Sequence, residues 1–298
     1  FRRWLTAPTV VLAAVLKAAE QGDKQVRLSA VDALRRVGDD SCLSTLVKIA
    51  IDDDTDLAST AKDTLAELPG KNVDGKIVGL LPSANGETYL LLLQLIGQRR
   101  IDAVDDVLKA LDNADPNVRR AALIALGETV SLKRLSVLIS AVVAPEFPAD
   151  TAVARDALKT ASVRMPDREA CAAALTLALN RSPAASKTTL LEILSDVGGD
   201  TSLQTLATAA KSNDPQLQDA GSRLLGTWNG VAAAPVLLDL AKTGPEEKYR
   251  VRALRGYLGL ARKFAMPDAQ RAQMCQNAFD ATRRPTEHKL ALDVLKLH

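Results

Sequence analysis

Asp115-Pro-Asn-Val-Arg-Arg-Ala-Ala-Leu-Ile-Ala-Leu-Gly127 decides how this chain reads. Asp115 can accept hydrogen bonds from the free N–H groups that open a helix. Pro116 sits where a missing N–H costs nothing and a fixed φ suits a helix start. A small residue, Ala121, lets a neighbouring helix come close, and Gly127 can take the left-handed conformation that ends a helix. The same order of residue types occurs in Asp23-Lys-Gln-Val-Arg-Leu-Ser-Ala-Val-Asp-Ala-Leu-Arg-Arg-Val-Gly38 and in Asp214-Pro-Gln-Leu-Gln-Asp-Ala-Gly-Ser-Arg-Leu-Leu-Gly226. Asp54-Thr-Asp-Leu-Ala-Ser-Thr-Ala-Lys-Asp-Thr-Leu-Ala-Glu-Leu-Pro69 is a weaker copy. Copies recur at roughly 30–38 residues, the period of a two-helix repeat.

The four Asp residues are expected to cap first helices, with Ala30, Ala121 and Ala220 at the close approaches. Gly38, Gly97, Gly127 and Gly198 are expected to end helices in left-handed conformations. A second helix follows each first one, over Cys42–Ile51, Ala103–Leu111, Leu132–Val143, Ser202–Ala210 and Ala233–Ala241, with apolar residues at helical spacing such as Leu43, Leu46, Val47 and Ala50. Val73–Leu81, stopped by Pro82, reads as a compact second helix, and no strand is expected. Units fall at 1–22 (half), 23–54, 55–86, 87–115, 116–150, 151–184, 185–215, 216–247 and 248–285, with a final half. The longest loop is Ala144-Pro-Glu-Phe-Pro-Ala-Asp150.

Phe1-Arg2-Arg3-Trp4 followed by Val10–Leu16 is faintly like a signal peptide. Thr9–Glu20, however, carries the apolar spacing of the second helices. With no initiator Met and an uncapped apolar end at Lys289–His298, both ends read as cut from a longer array. The expected organisation is one array over 1–298, part of a longer multi-domain chain.

This pattern resembles HEAT repeats, in particular the bacterial type also seen in phycobilin lyases. The stretch 115–122 is the specific match; 55–86 and 151–184 are degenerate. The end of the chain, Arg252-Ala-Leu-Arg-Gly-Tyr-Leu-Gly-Leu-Ala-Arg262, Arg271-Ala-Gln-Met-Cys-Gln-Asn-Ala-Phe279 and Arg284-Pro-Thr-Glu-His-Lys-Leu-Ala-Leu292, is similar to HEAT arrays of large exported bacterial proteins that carry haem or sugar-hydrolase modules. The resemblance implies an all-α, right-handed α–α superhelix of the HEAT/armadillo type, with about eight hairpins and terminal half-repeats. It also implies a concave face of second helices on which partners dock. It leaves the location open, with an exported one favoured.

Composition narrows the function classes. The chain has 298 residues, 47% hydrophobic and 25% charged, enough for a sizeable core. Net charge is +2, so no global field draws it to nucleic acid or anionic lipid. Aromatic residues are only 3%, which counts against base stacking and sugar clefts. No apolar run has the length of a membrane span. Cys42, Cys171 and Cys275 have no metal or disulfide spacing and read as buried small residues. Asp52, Asp54 and Asp56 have the opening spacing of a calcium loop, but Leu57 stands where it needs glycine. His288 and His298 are the only histidines, which leaves a His-based metal site or catalytic triad poorly supported. Gly70-Lys71 and Gly75-Lys76 lack the preceding strand of a phosphate loop. Trp228 reads as a cover over a repeat junction, and Tyr249 and Tyr257 as packing residues.

The expectation is therefore a non-catalytic scaffold, not an enzyme, with no metal or cofactor. It would bind a partner protein or a neighbouring domain through outward residues of its second helices: Thr45, Lys48, Asp105, Lys109, Lys133, Ser136, Gln204, Thr208, Asp239 and Lys242. A second candidate is the basic end patch Arg250, Arg252, Arg255 and Arg262, which could meet an acidic module, a polyanion or simply the next repeat. The alternatives are a HEAT-like lyase or an accessory segment of a larger exported enzyme linked to haem or sugar hydrolysis. A HEAT-fold DNA glycosylase is disfavoured by the balanced charge and scarce aromatics.

Overall fold

The computed structural model describes residues 7–296, so the readings placed on Phe1–Trp4 and on His298 lie outside the described residues. Described residues form α-helices and short 3-10 turns, with no strand among them. The fold class is all-α, a succession of stacked helix pairs. In chain order the helices are α1 (Ala7–Gln21), α2 (Lys24–Val37), α3 (Leu43–Ala50), α4 (Thr55–Glu67), α5 (Val73–Leu80) and α6 (Gly86–Arg99). Then come α7 (Val104–Leu108), α8 (Pro116–Thr129), α9 (Leu135–Val143), α10 (Thr151–Arg164), α11 (Arg168–Arg181) and α12 (Ala184–Val197). The last are α13 (Gly199–Ala210), α14 (Pro215–Gly226), α15 (Ala234–Thr243), α16 (Glu247–Lys263), α17 (Asp268–Ala281) and α18 (Pro285–Leu295). Even-numbered helices are the first members of the repeats and odd-numbered ones the second. This gives eight successive pairs from α2/α3 to α16/α17, with α1 and α18 as unpaired ends of the described chain.

The contacts resolve into two compact units: residues 1–134 with 145–161, and residues 135–144 with 162–298. In the first, α2 packs on α4, α4 on α6, and α6 on α8, and each turn returns a second helix against the next first one, as α3 does on α4. In the second, α12 packs on α14, α14 on α16 and α16 on α18, while α11, α13, α15 and α17 form a parallel second layer. The core is made of Leu, Ala, Val and Ile at helical spacing, such as Leu92, Leu93, Leu95 and Ile96 of α6 and Leu190, Leu191, Ile193 and Leu194 of α12. Covering one such side chain contributes about 1.5–3 kcal/mol, which no isolated pair of these helices can gather alone.

The starts of the first helices follow from sequence. Asp23 accepts from Val26 N, Asp54 from Asp56 N and Leu57 N, Asp115 from Asn117 N, and Asp214 from Gln216 N and Leu217 N. The residue four places after Asp23, Asp115 and Asp214 reaches back to the other side of the junction. Arg27 Nε donates to Ala19 O, Arg119 Nη1 to Asn113 O and Ala114 O, and Gln218 Nε2 to Ser212 O. Arg250, in register with them, donates to Gly244 O. These side chains satisfy carbonyls that the end of a helix leaves without an amide partner.

Helix ends differ from the expectation at three of the four glycines. Only Gly198 has positive φ, +73°. Gly38 ends α2 in extended backbone, and Arg100, not Gly97, is the left-handed residue after α6, with φ of 54°. Gly97 and Gly127 lie inside α6 and α8, and their reason is packing. A Cβ at Gly97 would stand 3.0 Å from the Cα of Ala125, and one at Gly127 3.0 Å from the Cα and O of Ala157. Glycine here sets how closely successive first helices approach. The second helix expected over Ala103–Leu111 is also shorter, Val104–Leu108, followed by turns.

This assignment separates two glycines by sign. Gly127→Leu is expected to lower unfolding free energy by about 1–3 kcal/mol, since it overpacks α8 against α10. Gly75→Ala in α5, where a Cβ meets nothing within 4 Å, should instead raise it by about 0.5–1 kcal/mol. Urea denaturation followed by circular dichroism measures both; equal destabilisation by the two variants would refute the packing role.

Candidate functional site

The second-helix residues are largely solvent-facing and are divided between the two units. Lys48, Asp105, Lys109 and Lys133 are exposed and Thr45 half-buried, all in the first unit. Ser136, Gln204, Thr208, Asp239 and Lys242 are exposed in the second. Several are already engaged: Thr45 donates to Glu20, Arg134 pairs with Asp105, Lys109 with Asp106, and Lys211 with Asp239.

The basic end patch is sorted by helix register. Arg252, Arg255 and Arg262 turn to one side of α16, while Arg250 turns to the junction below and caps Gly244 O. The three join Arg223 and Trp228 from the end of α14 and the turn after it, together with Lys248 and Lys263, around an open groove of about 770 Å³ in the second unit. Six cationic side chains and no carboxylate line it. Its floor is Gly226, Val251, Gly256, Gly259 and Leu260.

Close helix packing makes the floor. A Cβ at Gly256 would stand 2.9 Å from the Cα and O of Gly226, so α14 and α16 meet backbone to backbone. A Cβ at Gly259 would meet nothing within 4 Å, so the next turn of α16 leaves open space. Trp228 is half-buried at the edge. Sequence reading placed it over the junction but did not join it to the arginines.

The carboxylates that partner these cations stand outside the lining. Arg223 pairs with Glu192, Arg252 with Asp219, Arg255 with Glu287 and Lys248 with Glu246. Lys263 Nζ donates to Asn229 Oδ1. Arg262 is exposed and has no ion pair among the described residues. The rim therefore carries more positive charge than its neighbours cancel.

Glu287 is the one deeply buried carboxylate beside the groove, 1% exposed in the first turn of α18. Burial works against its ionisation, but hydrogen bonds from Thr286, Arg255 and Arg284 outweigh it and hold the carboxyl at about 2. In the first unit, Asp150 has the same build. Burial opposes its charge, and Arg119 and Arg120, at 2.7 and 2.8 Å, lower its pKa despite that. Arg119 also lies 3.9 Å from the centre of the Phe147 ring, which ties the loop before α10 onto α8. Both carboxylates are fully occupied by structural partners.

A second cleft, of about 680 Å³, lies in the first unit between the start of α3 and α5. Asp40, Ser41, Ser44, Lys71, Asn72 and Lys76 line it, over the bare backbone of Gly75 and Gly79. Lys76 pairs with Asp40 at 2.6 Å across it.

The remaining candidates have local explanations. All three cysteines are buried, and burial raises each thiol's pKa. Asp54 caps α4 and, with Asp56, binds Lys24. Tyr249 and Tyr257 are buried packing residues. His288 faces the carbonyls of Phe279 and Thr282 and lies against the Phe279 ring. Among the described residues no group of three His, Cys, Asp or Glu side chains could hold a metal ion. No single described helix is long and apolar enough to cross a membrane.

No protein-family model matches the chain, and no curated protein matches it. Solved structures similar to it include an engineered protein, with TM-score 0.41, 18% identity, and coverage of 96% of this chain and 88% of that one. Human deoxyhypusine hydroxylase in complex with glycerol matches with TM-score 0.34, 16% identity, and coverage of 87% and 97%. The complex of CpcE and CpcF of phycocyanin lyase from Nostoc sp. matches with TM-score 0.30, 14% identity, and coverage of 96% and 93%. The expectation that the chain is not an enzyme is corrected to an open one, since a hydroxylase and a lyase stand among these structures. Repeat type alone excludes no chemistry.

The Glu287 carboxyl, held below its ordinary value of 4.5, gives a pH dependence of known sign. Its contribution to stability is full above about pH 4.5 and is lost as pH falls towards 2. Glu287→Gln should lower stability at pH 7 by about 2 kcal/mol, as expected for losing charge-assisted hydrogen bonds. It should also flatten the acid limb of a plot of melting temperature against pH; a variant with an unchanged acid limb would show that the carboxyl is not the linked group.

Proposed function

We propose that this chain is a HEAT-type partner-binding module and that a protein, or a neighbouring domain of the same protein, docks in the groove between α14 and α16. The observation that supports this is the groove itself. It is open and concave, and its cationic rim surrounds an apolar, glycine-floored bed. Three residues of the basic patch, Arg252, Arg255 and Arg262, carry the docking together with Arg223, Lys248, Lys263 and Trp228. The outward residues of the second helices line neither of the two clefts described above. They are dispersed over two units.

Packing supplies rigidity. The rim belongs to helices fixed against each other at Gly226 and Gly256, so little order has to be created when a partner binds, which favours affinity. The cations bring a partner of opposite charge into register and raise its rate of encounter.

Affinity capture from a lysate of the native source is expected to retain a partner on the wild-type chain. Capture should fall about tenfold for Arg262→Glu with Lys263→Glu, two exposed positions whose reversal leaves the core untouched. The triple variant Lys48→Glu, Lys109→Glu, Lys133→Glu should keep the same partner. Loss of capture in the triple variant with retention in the groove variant would move the docking surface to the second helices.

A further inference from the structure

We infer that the occupant of the α14–α16 groove is an extended, acidic segment of a partner protein whose carboxylates alternate with apolar side chains. This rests on the docking reading above and adds the chemistry of what is bound. Lys248, Arg252, Arg255 and Arg262 follow one side of α16 at steps of four, three and seven residues. At a rise of 1.5 Å per residue these cations form a line about 21 Å long. A compact anion such as a single phosphate engages one or two of them. A chain in extended conformation advances about 3.3 Å per residue, so about six residues cover the line.

The floor selects further. Between the charges lie Val251, Leu260 and the Trp228 ring, with bare backbone at Gly256 and Gly259. An extended peptide sends alternate side chains to opposite sides. One set can reach the cations of the rim while the other packs on the apolar floor. Forked guanidinium groups suit carboxylates, and three of the rim arginines already hold carboxylates of the chain itself: Arg223 with Glu192, Arg252 with Asp219, and Arg255 with Glu287.

A nucleic-acid strand fits less well. Strand binding without duplex geometry relies on successive aromatic faces, and this groove offers one, Trp228. The chain as a whole is nearly neutral, at +2, which gives little long-range attraction for a polyphosphate backbone.

Trp228 makes the inference measurable, because it lines the groove and the only other tryptophan is Trp4. The full chain carrying Trp4→Phe is titrated with three probes. They are an eight-residue peptide alternating Glu and Leu, the same peptide with Gln for Glu, and an oligothymidylate of about the same charge. The Glu peptide should change Trp228 emission saturably. Its apparent affinity should fall about tenfold with Arg262→Glu and again when salt rises from about 50 mM to about 500 mM. The Gln peptide should leave the emission unchanged.

Tighter binding of oligothymidylate than of the Glu peptide would overturn the inference in favour of nucleic acid. Equal binding of the Glu and Gln peptides would overturn the role of charge. No saturation by any probe, while capture of a partner still depends on Arg262 and Lys263, would reject the acidic segment and leave the docking groove standing. Absence of both effects would reject both. Circular dichroism of each variant confirms that the helices are retained, which the exposed position of Arg262 predicts.

Discussion

The close approach of one first helix to the next is the constraint on which the rest of this molecule depends. Short helices of five to seventeen residues bury too little surface to hold alone. They become stable by stacking, and stacking works where small residues let backbones meet. Gly97 against Ala125, Gly127 against Ala157 and Gly226 against Gly256 mark these meetings. Around them Leu and Ala fill the interior, and at the junctions before α2, α8 and α14 an Asp cap and an Arg or Gln four residues later satisfy the exposed ends of two helices at once. Remove the small residue and the apolar faces no longer reach each other.

The same contact that stabilises the second unit also shapes its groove. Where Gly226 and Gly256 touch, α14 and α16 lie close enough for side chains from both to share one rim. One turn further along α16, Gly259 has no neighbour, and the surface opens. Structure and recognition therefore use the same residues. Arg255 shows this most directly, since its guanidinium faces both the groove and the buried carboxylate of Glu287 that fastens α18. A ligand drawing on Arg255 also acts on the seating of the following helix.

Position in the repeat explains why neighbouring arginines have different roles. Arg250 occupies the place held by Arg27, Arg119 and Gln218 elsewhere, and spends its donors on a loop carbonyl. Arg252 and Arg255, two and five residues on, project from another side of the helix and reach the groove. A count of basic residues near the end of the chain treats them alike. Helical register, counted from Glu246 at the start of α16 as from Asp23, Asp115 and Asp214 in their repeats, tells them apart, and that signal was present in the sequence.

Sequence alone determined the repeat, its unit boundaries, the Asp caps, the buried cysteines and the absence of a strand in the described chain, because each depends on residues within one helical pair. It misread Gly97 and Gly127 as helix ends, since a glycine that permits a left-handed turn and a glycine that permits close packing look the same in one dimension. The groove was decided only by tertiary structure. Trp228 and Arg223 come from one repeat and Arg252, Arg255 and Arg262 from the next, and no local pattern states how far apart two helices will rest. That distance is fixed by which small residues meet across the interface, a property of the stacked pair and not of either sequence segment.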